Sequence, residues 1–343
     1  MKSLIIILCF LVIKTIIQIC GLTCSDLKKT ESGSKFSLQE LKTLTNDALI
    51  SCLVYLGKDP LEHEEAKYLW GRLIEAFEND ISSIPEKNLR QLGWIIKVIS
   101  PKEMNNLTLS DIDTITAFGQ YHNLSLTQLQ TLAEKVREDW NAKEPTDYTY
   151  YDLKALNHIL CGFNSSEISD IHPDSYREAS STLATLQDCP RESLQALANL
   201  AVSPLAFDDP STWYLSQVNS VGCILNGMSR EDIASIPPEG FESLTPNIIQ
   251  CLSADTFKAM TTYQLQHLTI LAAASISELQ KSHLSQIQQK AIKNAHKGEI
   301  QKNNVSGRNG ITLFAYFINT FILFECIFQK LKFKKIMSVV ETE

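Results

Sequence analysis

Six cysteines set the tightest constraint on this chain. Cys24 to Cys52, Cys161 to Cys189 and Cys223 to Cys251 are separated by one and the same interval. The two later stretches also share an Ile-x-Pro block followed by an aromatic. These residues are Ile171, Pro173 and Tyr176 in the first stretch and Ile236, Pro238 and Phe241 in the second. The step from block to block is slightly longer than the step from cysteine to cysteine, so the stretches read as loosely duplicated units. Sequential pairing, Cys24 with Cys52, Cys161 with Cys189 and Cys223 with Cys251, is the simplest connectivity open to six cysteines. Each loop so closed would stabilise a fold by about 3 kcal/mol in the chain-entropy model. Buried free thiols are the alternative, most open for Cys24 and Cys52.

The ends of the chain decide how those cysteines are read. Residues 1–23 carry Lys2, then an apolar core, then small residues near Gly21. This is the pattern of a secretory signal peptide cut after Gly21 or Thr23. An uncleaved anchor competes, although Lys14 interrupts its apolar run. Export places cysteine pairs in an oxidising lumen, where they form disulfides rather than metal or redox sites. Four sequons, at Asn106, Asn123, Asn164 and Asn304, fit that route as N-glycosylation sites. A net charge of −8 suits an acidic, soluble ectodomain and argues against nucleic-acid binding.

At the other end, residues 311–328 (ITLFAYFINTFILFECIF) are nearly all apolar and about long enough to span a bilayer. Lys330, Lys332, Lys334 and Lys335 follow, as expected for the cytoplasmic flank of a single-pass protein. A glycolipid-anchor (GPI) signal is the competing reading, with Ser306 and Gly307 as candidate attachment residues. Asn319 and Glu325 are unfavourable in lipid and weaken both readings. The tail that continues from Gln329 to Glu343 weakens the second. Either route tethers the fold to the extracellular face of the plasma membrane.

Between these ends the chain reads as all-α: a superhelical stack of short, armadillo-like helical repeats stapled by disulfides. Ser37 with Glu40 forms a capping box, and Leu38, Leu41, Leu44, Ala48 and Cys52 follow helical spacing up to Gly57. Further helices are expected through Ala66, Leu69, Trp70, Leu73 and Phe77, then Leu89 to Ile99, then Leu126 to Trp140. A helix from Ser211 to Leu225 and one from Glu278 to Lys297 complete the set. Helices of roughly ten residues are marginal alone and must bury their apolar stripes against neighbours. The recurrence of one unit along the chain therefore points to a stack. The expected layout is signal peptide 1–23, helical repeats 24–142, repeats with two stapled units 143–298, polar linker 299–310, and anchor with basic tail 311–343. The polar loop Lys143 to Thr149 marks the internal boundary.

No catalytic, cofactor or metal constellation stands out. The chain lacks a nucleophile elbow, a His-Glu-x-x-His pair, a phosphate-binding loop and a dinucleotide fingerprint. His63-Glu64-Glu65 reads as a solvated helix face and Asp208-Asp209-Pro210 as a helix-starting loop. Trp70, Trp94, Trp140 and Trp213 read as core. The expectation is therefore a protein that is not an enzyme and takes no cofactor.

The stretch LGWIIKVISPKEMNNLTLSDIDTI (92–115) resembles the repeat text of the mesothelin, stereocilin and otoancorin superfamily. The order of Cys161, CPRESLQALANLAVSPLAF (189–207) and LTPNIIQC (244–251) is similar to the mesothelin-type C-terminal region. Cys24 and Cys52 also fit that layout, so the resemblance covers about residues 24–297. It implies an extracellular superhelix, usually glycolipid-anchored, with a role in adhesion. Mesothelin is associated with a large membrane mucin, and otoancorin and stereocilin with attachment of inner-ear epithelia to acellular gels. The lysine-rich tail departs from the family's usual anchor signal, and no ligand residue transfers by position. The expected function is cell-surface adhesion, cell–matrix or cell–cell, through a repeat surface that binds an extracellular glycoprotein, mucin or matrix component. A spacer or structural component of an extracellular gel is the alternative, and a secreted enzyme a remote one.

Overall fold

The computed structural model describes residues 21–140 and 143–298. The signal-like segment up to residue 20, Asn304, Ser306, Gly307 and the apolar run 311–328 lie outside them. Among the described residues there are only α- and 3-10 helices, and no helix is long and apolar enough to cross a membrane.

The first two thirds are built on one long repeating frame. Three long helices, α1 (His63–Ala76), α2 (Leu126–Asp139) and α3 (Arg191–Ala201), begin at nearly equal steps along the chain. Each packs on a six-residue 3-10 segment that follows it: Gly93–Val98, Asn157–Gly162 and Gly222–Gly227 in turn. Every one of those segments opens on a left-handed residue, with φ of 49° at Gly93, 41° at Asn157 and 51° at Gly222. The reversal aims the next N–H back at the preceding unit. Trp94 donates to the Gly57 carbonyl and Cys223 to the Ala184 carbonyl, both at 2.8 Å. A Cβ on Gly222 would run into that Ala184 oxygen, so glycine is required there twice over. The apolar pairs that follow, Ile95–Ile96, Ile159–Leu160 and Ile224–Leu225, are all fully buried. Next comes a capped short helix, with caps at Ser37, Ser100, Asn164 and Ser229 keeping the same step.

Beyond residue 228 the frame gives way to a shorter beat. Helix α4 (Arg230–Ser235) and a 3-10 turn at Pro238–Ser243 lead into α5 (Pro246–Cys251), α6 (Ala254–Ala259) and α7 (Thr262–Gln266). Then follow α8 (Ile270–Ala274), α9 (Glu278–Ser282) and α10 (Gln286–Lys297). Their N-caps are Thr245, Ser253, Thr261, Thr269, Ser277 and Ser285, each one octad after the last. The residue before each cap is buried and apolar: Leu244, Leu252, Met260, Leu268, Ile276 and Leu284. A second buried position follows within each of the first four octads, at Ile249, Phe257, Leu265 and Ala273. The apolar residue and the cap link successive helices, and the caps are extended, with ψ of 160°, 157°, 161° and 158° at Thr245, Ser253, Thr261 and Thr269. Each octad is thus little more than one helical turn followed by a corner.

Three octads make one turn of the stack. Elements three octads apart in sequence lie side by side: α4 on α6, α6 on α9, α5 on α8, α7 on α10. Three glutamines fix this geometry. Gln264 uses its side-chain oxygen to accept the Thr261 N–H (2.7 Å), closing a capping box. Its amide nitrogen donates to the buried Ile233 and Ile236 carbonyls, both at 2.7 Å, on the turn below. Gln280 does the same to Ile249 and Leu252, at 3.0 and 2.7 Å, and Gln288 to Phe257 and Met260, at 3.3 and 3.0 Å. In each pair the first carbonyl also accepts its own helix's C-cap N–H, while the second, at Ile236, Leu252 or Met260, is satisfied by the next turn of the superhelix. Gln128 makes the corresponding contact with Lys97 and Ile99 in the upstream part.

Four of the continuous helices expected from spacing are interrupted. Leu38 to Cys52 is divided among helices 38–41, 46–51 and 53–56, because Thr45 turns out to be a second N-cap. Leu89 to Ile99 breaks at the left-handed Gly93, Ser211 to Leu225 at Gly222, and Glu278 to Lys297 at the Leu284–Ser285 corner. Trp70 and Trp213 are buried, whereas Trp94 and Trp140 are half-exposed. Three disulfides join adjacent turns: Cys24–Cys52, Cys161–Cys189 and Cys223–Cys251, with Cα atoms 5.7, 4.8 and 5.7 Å apart.

Candidate docking groove

Where the long frame meets the octads, a groove opens between α3, α4 and α6. Two adjoining hollows, of about 550 and 320 Å³, share Arg191, Met228 and Arg230 as lining residues. Cys189 and Cys251, one sulfur from each of two disulfides, form part of the wall. Leu194 and Ile233 supply apolar floor, both from buried faces of their helices.

The walls are held rigidly. Asn226 acts as a clasp, its amide nitrogen donating to the Cys251 carbonyl at 2.9 Å. Its oxygen accepts the Ser253 N–H at 2.7 Å and the Thr256 hydroxyl at 2.6 Å. On the opposite side, Gln264 holds the C-terminal end of α4. In α3, Leu194, Leu197, Ala198 and Ala201 face inward and leave Arg191, Gln195 and Asn199 outside.

The electrostatics of this groove are unusual for its surroundings. From residue 178 to 257 the chain has ten carboxylates and two cations, Arg191 and Arg230. Both cations line the same groove, and both are exposed. Neither has a hydrogen-bond or ion-pair partner among the described residues. Three of the carboxylates nearby are engaged, whereas Glu231, which lines the smaller hollow, has no partner among the described residues. Asp188 accepts the Tyr121 hydroxyl at 2.9 Å, Asp255 pairs with Lys258 at 3.2 Å, and Asp232 accepts the Ser229 hydroxyl at 2.7 Å. Two unpaired guanidiniums on a rigid wall suit the oxygens of a carboxylate or sulfate.

Next to this groove, against the backbone just before Asp188 and Cys189, lies a buried histidine. The ring of His158 packs against Tyr121, with centroids 5.1 Å apart, and its Nε2 accepts the Gln187 N–H at 3.3 Å. Burial pushes its pKa down to about 4. His122, also buried, is shifted down for the same reason. Of the sequons, Asn106, Asn123 and Asn164 are all exposed. Asn164 also caps a helix, its oxygen accepting the Glu167 N–H at 2.9 Å. Among the described residues no group of three or more His, Cys, Asp or Glu side chains is arranged to hold a metal.

No family model matches the chain. Human stereocilin is 26% identical over 273 residues, covering 78% of this chain and 15% of stereocilin. Mouse otoancorin is 27% identical over 218 residues, 62% of this chain and 18% of otoancorin. Human otoancorin is 23% identical over 277 residues, 79% of this chain and 23% of that protein. The chain resembles the mesothelin, stereocilin and otoancorin superfamily. It spans less than a quarter of the length of these relatives.

Proposed function

We propose that this stereocilin- and otoancorin-like chain is an extracellular adhesion protein, binding a glycoprotein or matrix component through its helical-repeat surface. The observation that carries the reading is a stack whose neighbouring turns are locked by three disulfides and by glutamine clasps, with a rigid groove on its face. Disulfides suit an oxidising, extracellular setting. Repeat stacks present extended surfaces that fit an elongated partner better than a small substrate. The reading includes a signal peptide over 1–23, repeat regions 24–142 and 143–298, glycans at Asn106, Asn123, Asn164 and Asn304, and a linker at 299–310. Residues 311–343 serve as the membrane tether.

The test is adhesion by cells expressing the full chain. Such cells are expected to attach to extracellular-matrix extract or to a cell monolayer more strongly than mock cells, in a saturable way, and to lose the gain after mild reduction. Equal attachment by both cell types would overturn adhesion and favour a spacer or gel component without a dedicated ligand. The same cells, treated with N-glycosidase, should show an electrophoretic shift of the protein; no shift would count against export.

A further inference from the structure

We propose that the groove between α3, α4 and α6 is a binding site for a single acidic sugar of an extracellular glycan. Arg191 and Arg230 would hold its carboxylate or sulfate, and Asp188 and Asp255 its hydroxyls. The inference rests on the adhesion reading and names the ligand class for one part of that surface.

Four observations converge on it. The only two cations in a long acidic stretch line one groove and are unpaired, so an anion entering there displaces no existing partner. The hollow of about 550 Å³ is large enough for a sugar ring and open enough to admit a chain terminus. Its polar lining mixes signs in a way that suits a hydroxylated anion. A carboxylate has several acceptor sites, so Asp188 and Asp255 can accept sugar hydroxyls while keeping their present partners. An acidic peptide lacks that set of hydroxyls. A densely sulfated polymer fares worse, because Asp188, Asp255, Glu231 and Asp232 line the same hollows as the two arginines. Finally, the Asn226 clasp and the Cys223–Cys251 bridge hold the wall in place, which limits the ordering cost of binding a small group.

The test uses the full chain, purified oxidised in mild detergent and captured on a sensor surface. Multivalent polymers bearing a sialoside, a glucuronide, a 6-sulfated galactoside, an uncharged galactoside or glutamate side chains are passed over it, followed by heparin and then matrix extract. The acidic-sugar polymers are expected to bind, with the sialoside and glucuronide arms against the sulfate arm revealing which anion is preferred. The uncharged and glutamate polymers should bind at least about tenfold more weakly, and heparin no better than they do. Arg191→Ala/Arg230→Ala should weaken acidic-sugar binding at least about tenfold, and Arg191→Lys/Arg230→Lys should recover part of it. Both variants should keep the wild-type melting temperature, since neither side chain has a structural partner. Equal binding of glutamate and acidic-sugar polymers would reassign the groove to peptide. Unchanged binding by the alanine variant, or none by any acidic sugar, would also overturn the inference. Matrix extract retained without acidic-sugar binding would sink the groove alone and leave adhesion standing. Absence of both would sink both.

Discussion

The stack solves one problem in two ways. Upstream of residue 228 the chain opens the 3-10 segment of each long repeat on a residue of positive φ and includes a helix of 11 to 14 residues among shorter ones. Downstream it turns a corner every octad and uses helices of five or six residues, closed by a final one of 12. The first style places its specificity in a few backbone positions. The second spreads it over a column of caps, buried leucines and glutamine clasps. Every helix leaves orphan groups at its ends, and in helices of five or six residues the ends are most of the helix. The octad part therefore depends most on side chains reaching across turns.

Changes at each kind of junction should separate the two styles. The largest effect is expected for Gly222→Val, which forces a β-branched residue to positive φ against the Ala184 carbonyl. A loss of about 3 kcal/mol or more, or failure to fold, is expected by thermal or denaturant unfolding. Asn157→Gly, at the equivalent hinge, should stay within about 0.5 kcal/mol of the parent. If the two behaved alike, the hinge would not be what organises the upstream frame.

Gln264→Leu comes next. It strips the donor from two buried carbonyls and opens a capping box, with an expected cost of about 2 kcal/mol. Hydrogen exchange should rise first at the C-terminal end of α4, one turn below the mutated residue. Exchange confined to α7 would mean the glutamine acts only as a local cap.

A comparable effect follows from pH. His158 has a folded pKa of about 4, below the unfolded value of about 6.5, so the unfolded chain takes up the proton first. Its contribution is complete above pH 6.5 and is lost as pH falls toward 4. The chain should therefore lose about 2 kcal/mol between pH 7 and pH 5 from this group. His158→Gln should flatten that slope. A slope unchanged in the variant would assign the acid sensitivity to other groups. The smallest effect is expected for Thr269→Ala, which removes one octad cap (Thr269 Oγ1 to the Ala272 N–H, 3.2 Å) at a cost of about 1 kcal/mol in denaturant unfolding.

The sequence displayed the class of fold more readily than its rhythm. Cysteine intervals, Ile-x-Pro blocks and capping boxes such as Ser37–Glu40 point to a stapled helical stack, and the fold has that form. The octad period was equally visible in Thr245, Ser253, Thr261, Thr269, Ser277 and Ser285. It escapes a search for helical periodicity because apolar residues alternate at spacings of five and three. Locally that resembles an irregular amphipathic helix. The groove was less legible still. Arg191 and Arg230 are far apart in sequence, and only the stacking of α4 and α6 beside α3 brings them together. Their signal was isolation, two cations in a long acidic stretch, with no motif around them.

The three bridges also have a mechanical consequence. Each closes a loop with a sequence separation of 28 between adjacent turns. A chain pulled from its ends can lengthen only by stretches that no covalent loop bypasses. At about 3.4 Å per extended residue, each bridge withholds roughly 90 Å of contour from a load. One of them, Cys223–Cys251, encloses Arg230 and α4, whereas Arg191 and α3 lie in the unbridged stretch between two loops. Under tension the stretch between Cys189 and Cys223, which includes α3, can be drawn out while the two loops hold, so a load would part Arg191 from Arg230 before either loop opened. Reduction would turn the same molecule into a longer, softer tether.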